Sequence, residues 1–142
     1  MEYKLELVVV PVSDVDRAKA FYAEQMGFTV DVDHQISDDM RVVQVTPPGS
    51  GCSISFGKGI GPEESEPGSL KGLQLCVADI EAAHADLSSR GVPISSIKHH
   101  DGTGFAEGKG DDWNSFIFFD DPDGNSWAIQ ESPTMRDAAK AT

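Results

Sequence analysis

His99, His100 and Asp101 stand in a row, and they are the one stretch of this chain whose side chains suggest a transition-metal ligand set. Two imidazoles with one carboxylate suit Fe(II). Adjacent residues on a strand point to opposite faces, however, so both rings converge only if the backbone bends there; the plainer alternative is an exposed loop pair. His84 falls on a helical stretch and His34 in a polar segment with Asp31, Asp33 and Asp38, and neither has ligand spacing. Cys52 and Cys76 sit in apolar strand-like segments without Cys-x-x-Cys spacing, so they are expected to pack as small hydrophobes. No nucleophile with a partnered base is evident.

The charge balance narrows the function classes. A net charge of −13, from 24 acidic against 11 basic residues, leaves no basic footprint to neutralise phosphates. Nucleic acid is therefore excluded as a partner, and the same field disfavours an anionic membrane surface. No stretch approaches the roughly 20 apolar residues that span a bilayer. The N-terminus lacks the layout of a secretory signal, so the expected address is the cytoplasm.

Periodicity supplies the elements. Leu5–Val12 reads as a strand, followed by a helix opened by Ser13 and Asp14, with Val15, Ala18, Tyr22 and Met26 on one stripe and Gly27 at its stop. Strands are expected at Phe28–Asp33, Met40–Thr46 and Cys52–Gly57. Residues 58–69, polar and rich in breakers, read as a linker. The pattern then restarts: a strand Leu73–Val77, a helix carrying Ile80, Ala83 and Leu87, and strands Val92–Ile97, Ser115–Phe119 and Ser126–Ile129. Asp121-Pro122-Asp123-Gly124-Asn125 is a turn before the last of them. Asp101–Asn114 reads as a long loop able to act as a lid, with Trp113 either closing over a flat ligand or anchoring the loop.

The order β-α-β-β-β thus occurs twice, and the halves match locally. Val12-Ser13-Asp14-Val15 parallels Val77-Ala78-Asp79-Ile80, and Gly51-Cys52-Ser53-Ile54-Ser55 parallels Gly124-Asn125-Ser126-Trp127-Ala128. The expected fold class is α+β, one domain over residues 1–142. It comprises two tandem βαβββ modules (4–57 and 70–132) in a curled mixed sheet around a cleft, the linker 58–69, and a tail 133–142.

Pro11-Val12-Ser13-Asp14-Val15-Asp16-Arg17-Ala18, Phe21-Tyr22, Gly27-Phe28 and Asp121-Pro122-Asp123-Gly124-Asn125-Ser126-Trp127, in this order, carry a resemblance to the vicinal oxygen chelate superfamily of glyoxalases, bleomycin-resistance proteins and extradiol dioxygenases. It covers residues 4–132. In metal-using members a His precedes each helix-opening Asp by seven residues; here those positions hold Leu7 and Gly72. The carboxylate expected after the turn falls at Ala128, and its counterpart in the first module near Ser55. Leu, Gly and Ala offer no donor and Ser is a poor one, so the standard metal site is absent and no cofactor is expected.

Alternation from those positions places Leu5, Leu7, Val9, Ser53, Ser55, Gly72, Gln74, Cys76, Ser126, Ala128 and Gln130 toward the cleft, with Trp127 and Glu131 turned away. The ligand-binding set expected is Leu7, Val9, Ser55, Gln74, Trp113, Ala128 and Gln130. The resemblance implies a small organic ligand bound without the standard metal, and a homodimer. The alternative it leaves open is a metal-dependent lyase, isomerase or dioxygenase using displaced ligands such as His99, His100, Asp101 or Glu131.

Overall fold

The computed structural model describes residues 1–61 and 65–140; residues 62–64 of the expected linker and 141–142 of the tail lie outside it. The chain segregates into two compact units, residues 1–70 with 121–125, and residues 71–120 with 126–142.

In the first unit β1 (Leu7–Val9), β2 (Thr29–Ser37), β3 (Met40–Thr46) and β4 (Ser53–Lys58) form a sheet in the order β1-β4-β3-β2. In the second, β5 (Leu73–Val77), β6 (Lys98–His100), β7 (Phe105–Glu107), β8 (Phe116–Asp120) and β9 (Ser126–Glu131) take the order β5-β9-β8-β6-β7. The first four positions of the two orders correspond strand for strand, with the parallel pair β1–β4 answered by β5–β9. The repeat extends to register. Val9 lies opposite Ser55 and Gln74 opposite Ala128; the second local match equates Ser55 with Ala128, and the first, carried three residues upstream, equates Val9 with Gln74. The fold is α+β, as expected.

Helix α1 (Val15–Lys19) starts where Asp14 Oδ1 accepts the Arg17 N–H at 3.0 Å. It does not continue as a plain α-helix: residues Ala20–Gln25 widen into a π-helical turn, in which Met26 N–H reaches the Phe21 carbonyl at 2.9 Å. The extra residue lets two consecutive aromatics, Phe21 and Tyr22, both enter the core, at 3% and 0% exposure. The Tyr22 ring stands 5.9 Å from that of Phe28 and 5.7 Å from that of Phe56. Burying side chains of this size is worth about 2–3 kcal/mol each.

The residues that carry the family resemblance are bonded to each other within this unit. Asp121 accepts the Tyr22 hydroxyl at 2.7 Å, the Asn125 Nδ2 at 2.8 Å, and the Asp123 and Asn125 backbone N–H groups at 2.9 Å each. Asn125 Nδ2 also reaches the Pro11 carbonyl at 2.8 Å. Asp123 takes the Ser13 backbone N–H at 3.1 Å, the Ser13 hydroxyl at 2.5 Å and Arg17 Nη2 at 3.1 Å.

Helix α2 (Ile80–Ser89) is capped by Asp79, whose Oδ1 accepts from Glu81 and Ala82 at 3.0 Å each, and it packs on β8 and β9. Its first N–H, that of Ile80, is satisfied from a distance by Glu131 Oε2 at 2.9 Å. The apolar interior here comprises Ile80, Leu87, Val92, Ile117, Phe119, Trp127 and Ile129.

Several sequence expectations need correction. The first strand is shorter than Leu5–Val12, and Leu5 is exposed. The strand expected at Val92–Ile97 is a lone bridge from Ile94 to Phe119, since Pro93 has no N–H to donate; the strand begins at Lys98. Asp101–Asn114 is not a plain loop: it closes the hairpin from β6, contains β7 and ends in a turn. Cys76 is exposed and Cys52 half-buried, so neither is a fully packed hydrophobe. The tail folds as helix α3 (Pro133–Lys140), with Ser132 Oγ accepting the Met135 N–H at 3.2 Å and Pro133 at the first helical position. No described helix is long and apolar enough to cross a membrane.

An ion network ties α1 to the outer strands. Asp33 accepts Lys19 Nζ at 2.7 Å, and Arg41 Nε and Nη2 at 3.1 and 3.0 Å, while Arg41 Nη1 also meets Asp16 at 2.7 Å. The Arg41 guanidinium, with Lys19 behind it, draws the Asp33 carboxyl down to about 2. A carboxyl with a folded pKa below its unfolded value contributes stability above the unfolded value and loses it as pH falls through the folded one. Asp33→Asn is therefore expected to flatten the decline of unfolding free energy between about pH 4 and pH 2, read from urea titrations across that window. An unchanged slope would count against the network.

Candidate functional site

Each sheet has one face covered by helix and one turned away from it. In the first unit the face turned away from the helix carries Leu7 and Val9 on β1 beside Ser53 and Ser55 on β4. Both serines are 6% exposed, and Ser53 Oγ lies 2.6 Å from the Thr46 hydroxyl, which itself bonds Asp31. Val9 also lines a cavity of about 360 Å³ with Pro11, Gly59, Ile60, Gly61 and Ser65. Its described lining has no titratable side chain.

The second unit gives the richer surface. Phe116 and Phe118 alternate with the buried Ile117 and Phe119, so both stand on the face opposite α2. Their rings stack at 6.0 Å and 8°. Phe105, half exposed on β7, meets them edge-on at 5.8 and 5.0 Å, and the His100 ring meets Phe105 edge-on at 5.3 Å. Register carries this wall across the sheet: Phe118 lies opposite Ala128 and Ala128 opposite Gln74, while Phe116 lies opposite Gln130 and Gln130 opposite Cys76. Ala128 is thus a methyl-sized floor between an aromatic side and an amide side.

The amides are ordered. Gln74 Nε2 donates to Gln130 Oε1 at 2.7 Å, and Gln130 Nε2 donates to the Trp113 carbonyl at 2.7 Å. Trp113 has a φ of 64°, the one non-glycine residue in the left-handed region among those described, and it is 46% exposed. Asn114 holds this turn to β6 by accepting the His100 N–H and donating to the His100 carbonyl, both at 2.8 Å. At the rim, Lys98 meets Glu107 at 2.8 Å. Lys98 and the Ser96 hydroxyl hold the Glu107 carboxyl below its usual range, so the rim is locally neutralised.

The residues singled out from sequence separate accordingly. Gln74, Ala128, Gln130 and the Trp113 carbonyl converge in the second unit; Leu7, Val9 and Ser55 share a face of the first. Trp127 and Glu131 are buried on the helix side, as alternation predicts. Glu131 serves structure: besides Ile80 N–H it meets Lys109 at 3.3 Å and Arg136 at 3.7 Å. The clustering of Phe105, Phe116, Phe118 and His100 on one face has no counterpart among the sequence expectations.

The donor set does not fit a divalent ion at the superfamily's usual positions, where Leu7, Ser55, Gly72 and Ala128 stand. Nor do the displaced candidates converge. His99 Nδ1 bonds the Gly108 carbonyl at 2.9 Å, and His100 Nδ1 accepts the Gly102 N–H at 3.1 Å. Asp101 Oδ1 accepts from Thr103 N, Thr103 Oγ1 and Gly104 N at 2.8, 2.7 and 3.0 Å. Those bonds, the Thr103 backbone first, draw the Asp101 carboxyl down to about 2. Among the described residues no group of three His, Cys, Asp or Glu side chains is placed to hold a metal.

Comparison with known proteins agrees with this architecture. The family model described as Glyoxalase/Bleomycin resistance protein/Dioxygenase superfamily matches residues 4–129. TnmS3, an antibiotic binding protein from Streptomyces sp. CB03234, superposes with a TM-score of 0.72 at 31% identity, over 92% of this chain and 97% of its own. A superfamily member from Sphaerobacter thermophilus DSM 20745 gives 0.72 at 29% identity, over 92% and 98%. The protein YetH of Bacillus subtilis (strain 168) is 25% identical over 124 residues, 87% of this chain and 94% of that protein.

Proposed function

The chain belongs to the Glyoxalase/Bleomycin resistance protein/Dioxygenase superfamily, and from that premise we propose that it binds a flat, largely apolar organic molecule on the uncovered face of the second sheet, without a metal ion at the superfamily's standard position. The observation that carries this reading is the aromatic wall of Phe105, Phe116 and Phe118 facing an ordered pair of amides across the Ala128 methyl. Stacked and edge-on aromatic contacts contribute roughly 0.5–1.5 kcal/mol each beyond the area they bury. The amides then orient the ligand rather than supply most of its affinity. The antibiotic-binding character of TnmS3 supports an antibiotic-like ligand class.

The test is an equilibrium titration with naphthol, a minimal flat aromatic probe, in buffer containing EDTA. Saturable binding of one equivalent, unchanged when Zn²⁺, Mn²⁺ or Fe²⁺ replaces the chelator, is expected. Absence of saturable binding, or binding that requires a divalent ion, overturns the proposal.

A further inference from the structure

The amide side of this face has a hydrogen-bonding polarity that its neighbours dictate. A backbone carbonyl only accepts, so the Trp113 carbonyl obliges Gln130 to turn its Nε2 toward it. Gln130 Oε1 is left facing Gln74, and because it too only accepts, Gln74 must present its own Nε2. The last atom of the relay is Gln74 Oε1, an acceptor that no donor among the described residues reaches.

The relay cannot readily reverse. Turning the Gln130 amide over would set its oxygen against the Trp113 carbonyl oxygen, an unpaired contact between two acceptors. Nor does the carbonyl itself drift. Its turn is closed by Asn114 N–H to the Asp111 carbonyl at 3.0 Å and Gly110 N–H to the Asn114 carbonyl at 3.1 Å, and Asn114 is pinned to the His100 backbone. The left-handed φ of Trp113 aims that carbonyl at Gln130.

We infer that the site selects aromatic ligands bearing a hydrogen-bond donor, such as a phenol, an enol or a ring N–H, at the edge that meets Gln74, over ligands whose corresponding edge carries only acceptors. This rests on the ligand face proposed above. Phe118 and Gln74 flank Ala128 in register, so a ring lying on the Ala128 methyl against Phe118 brings its opposite edge to Gln74 Oε1.

The experiment compares naphthol with its methyl ether, which has the same ring system and no donor. The ether is the more apolar of the two, so transfer from water alone favours it, and a preference for naphthol reads the hydrogen bond. Wild-type protein is expected to bind naphthol roughly fivefold more tightly than the ether, the range allowed by one net hydrogen bond on a partly exposed face. Gln74→Leu should abolish the preference. Gln130→Leu, which frees the Gln74 amide to rotate, should reduce it. Equal binding of the two probes by wild-type protein, or tighter binding of the ether, overturns the donor rule and leaves the ligand face standing. If neither probe binds, the ligand face fails, and the donor rule with it.

Discussion

Asp121→Ala is expected to lower the unfolding free energy by about 3–5 kcal/mol and the melting temperature by roughly 10 °C. The carboxylate is 5% exposed and accepts from the Tyr22 hydroxyl, the Asn125 side chain and two backbone N–H groups. Truncation leaves those donors without their acceptor, and both Tyr22 and Asn125 are fully buried, so water cannot readily replace it. Tyr22→Phe removes one donor instead of the shared acceptor and should cost only about 1 kcal/mol. Urea denaturation of the two variants provides the check. A loss below about 1 kcal/mol for Asp121→Ala would show that the turn is held by something other than this carboxylate.

The same bonds account for what the family motif means. Ser13, Asp14, Arg17 and Tyr22 from one end of the chain, and Asp121, Asp123 and Asn125 from the other, satisfy helix and turn polar groups. None of them lies on the aromatic face. The motif therefore identifies the fold while saying nothing of the ligand.

Phe118→Ala is expected to weaken naphthol binding roughly 30-fold, about 2 kcal/mol. The ring borders the Ala128 floor, stacks on Phe116 and supports Phe105 edge-on at 5.0 Å, so truncation removes a ligand contact and loosens the two rings that remain. Phe118 is half-buried, unlike its neighbours Ile117 and Phe119, so the folded state should tolerate the change better than a core truncation. Isothermal titration beside a melting curve separates the two effects. Undiminished affinity in a folded variant would move the ligand away from this face.

Much of the second sheet was legible before the structure. Ser126–Glu131 alternates small or polar with large residues, and once Ala128 is assigned a face, Gln130 must share it while Trp127 and Glu131 oppose it; the observed burial follows that rule. The helix starts at Asp14 and Asp79 were equally plain, because a capping carboxylate acts within three residues of itself. Ser132-Pro133 carried the same kind of local signal for α3.

Other features had no local signal. Phe116-Ile117-Phe118-Phe119 is apolar throughout, so no alternation marks which rings face outward; only pairing with β9 decides it. The three-residue strand β7, set between glycines, is too short to show a period, yet through it a stretch that reads as loop contributes Phe105 to the aromatic wall. Cys76 looked like core in an apolar run and proved exposed, since the uncovered face takes it. The sequence by itself determined the repeat, the caps, the alternation within mixed strands and the vacancy at Leu7, Ser55, Gly72 and Ala128, all properties carried by residue type and short spacing. The tertiary structure alone decided that three phenylalanines, a histidine and two glutamines share one face, because register is a relation between distant segments that no single segment encodes.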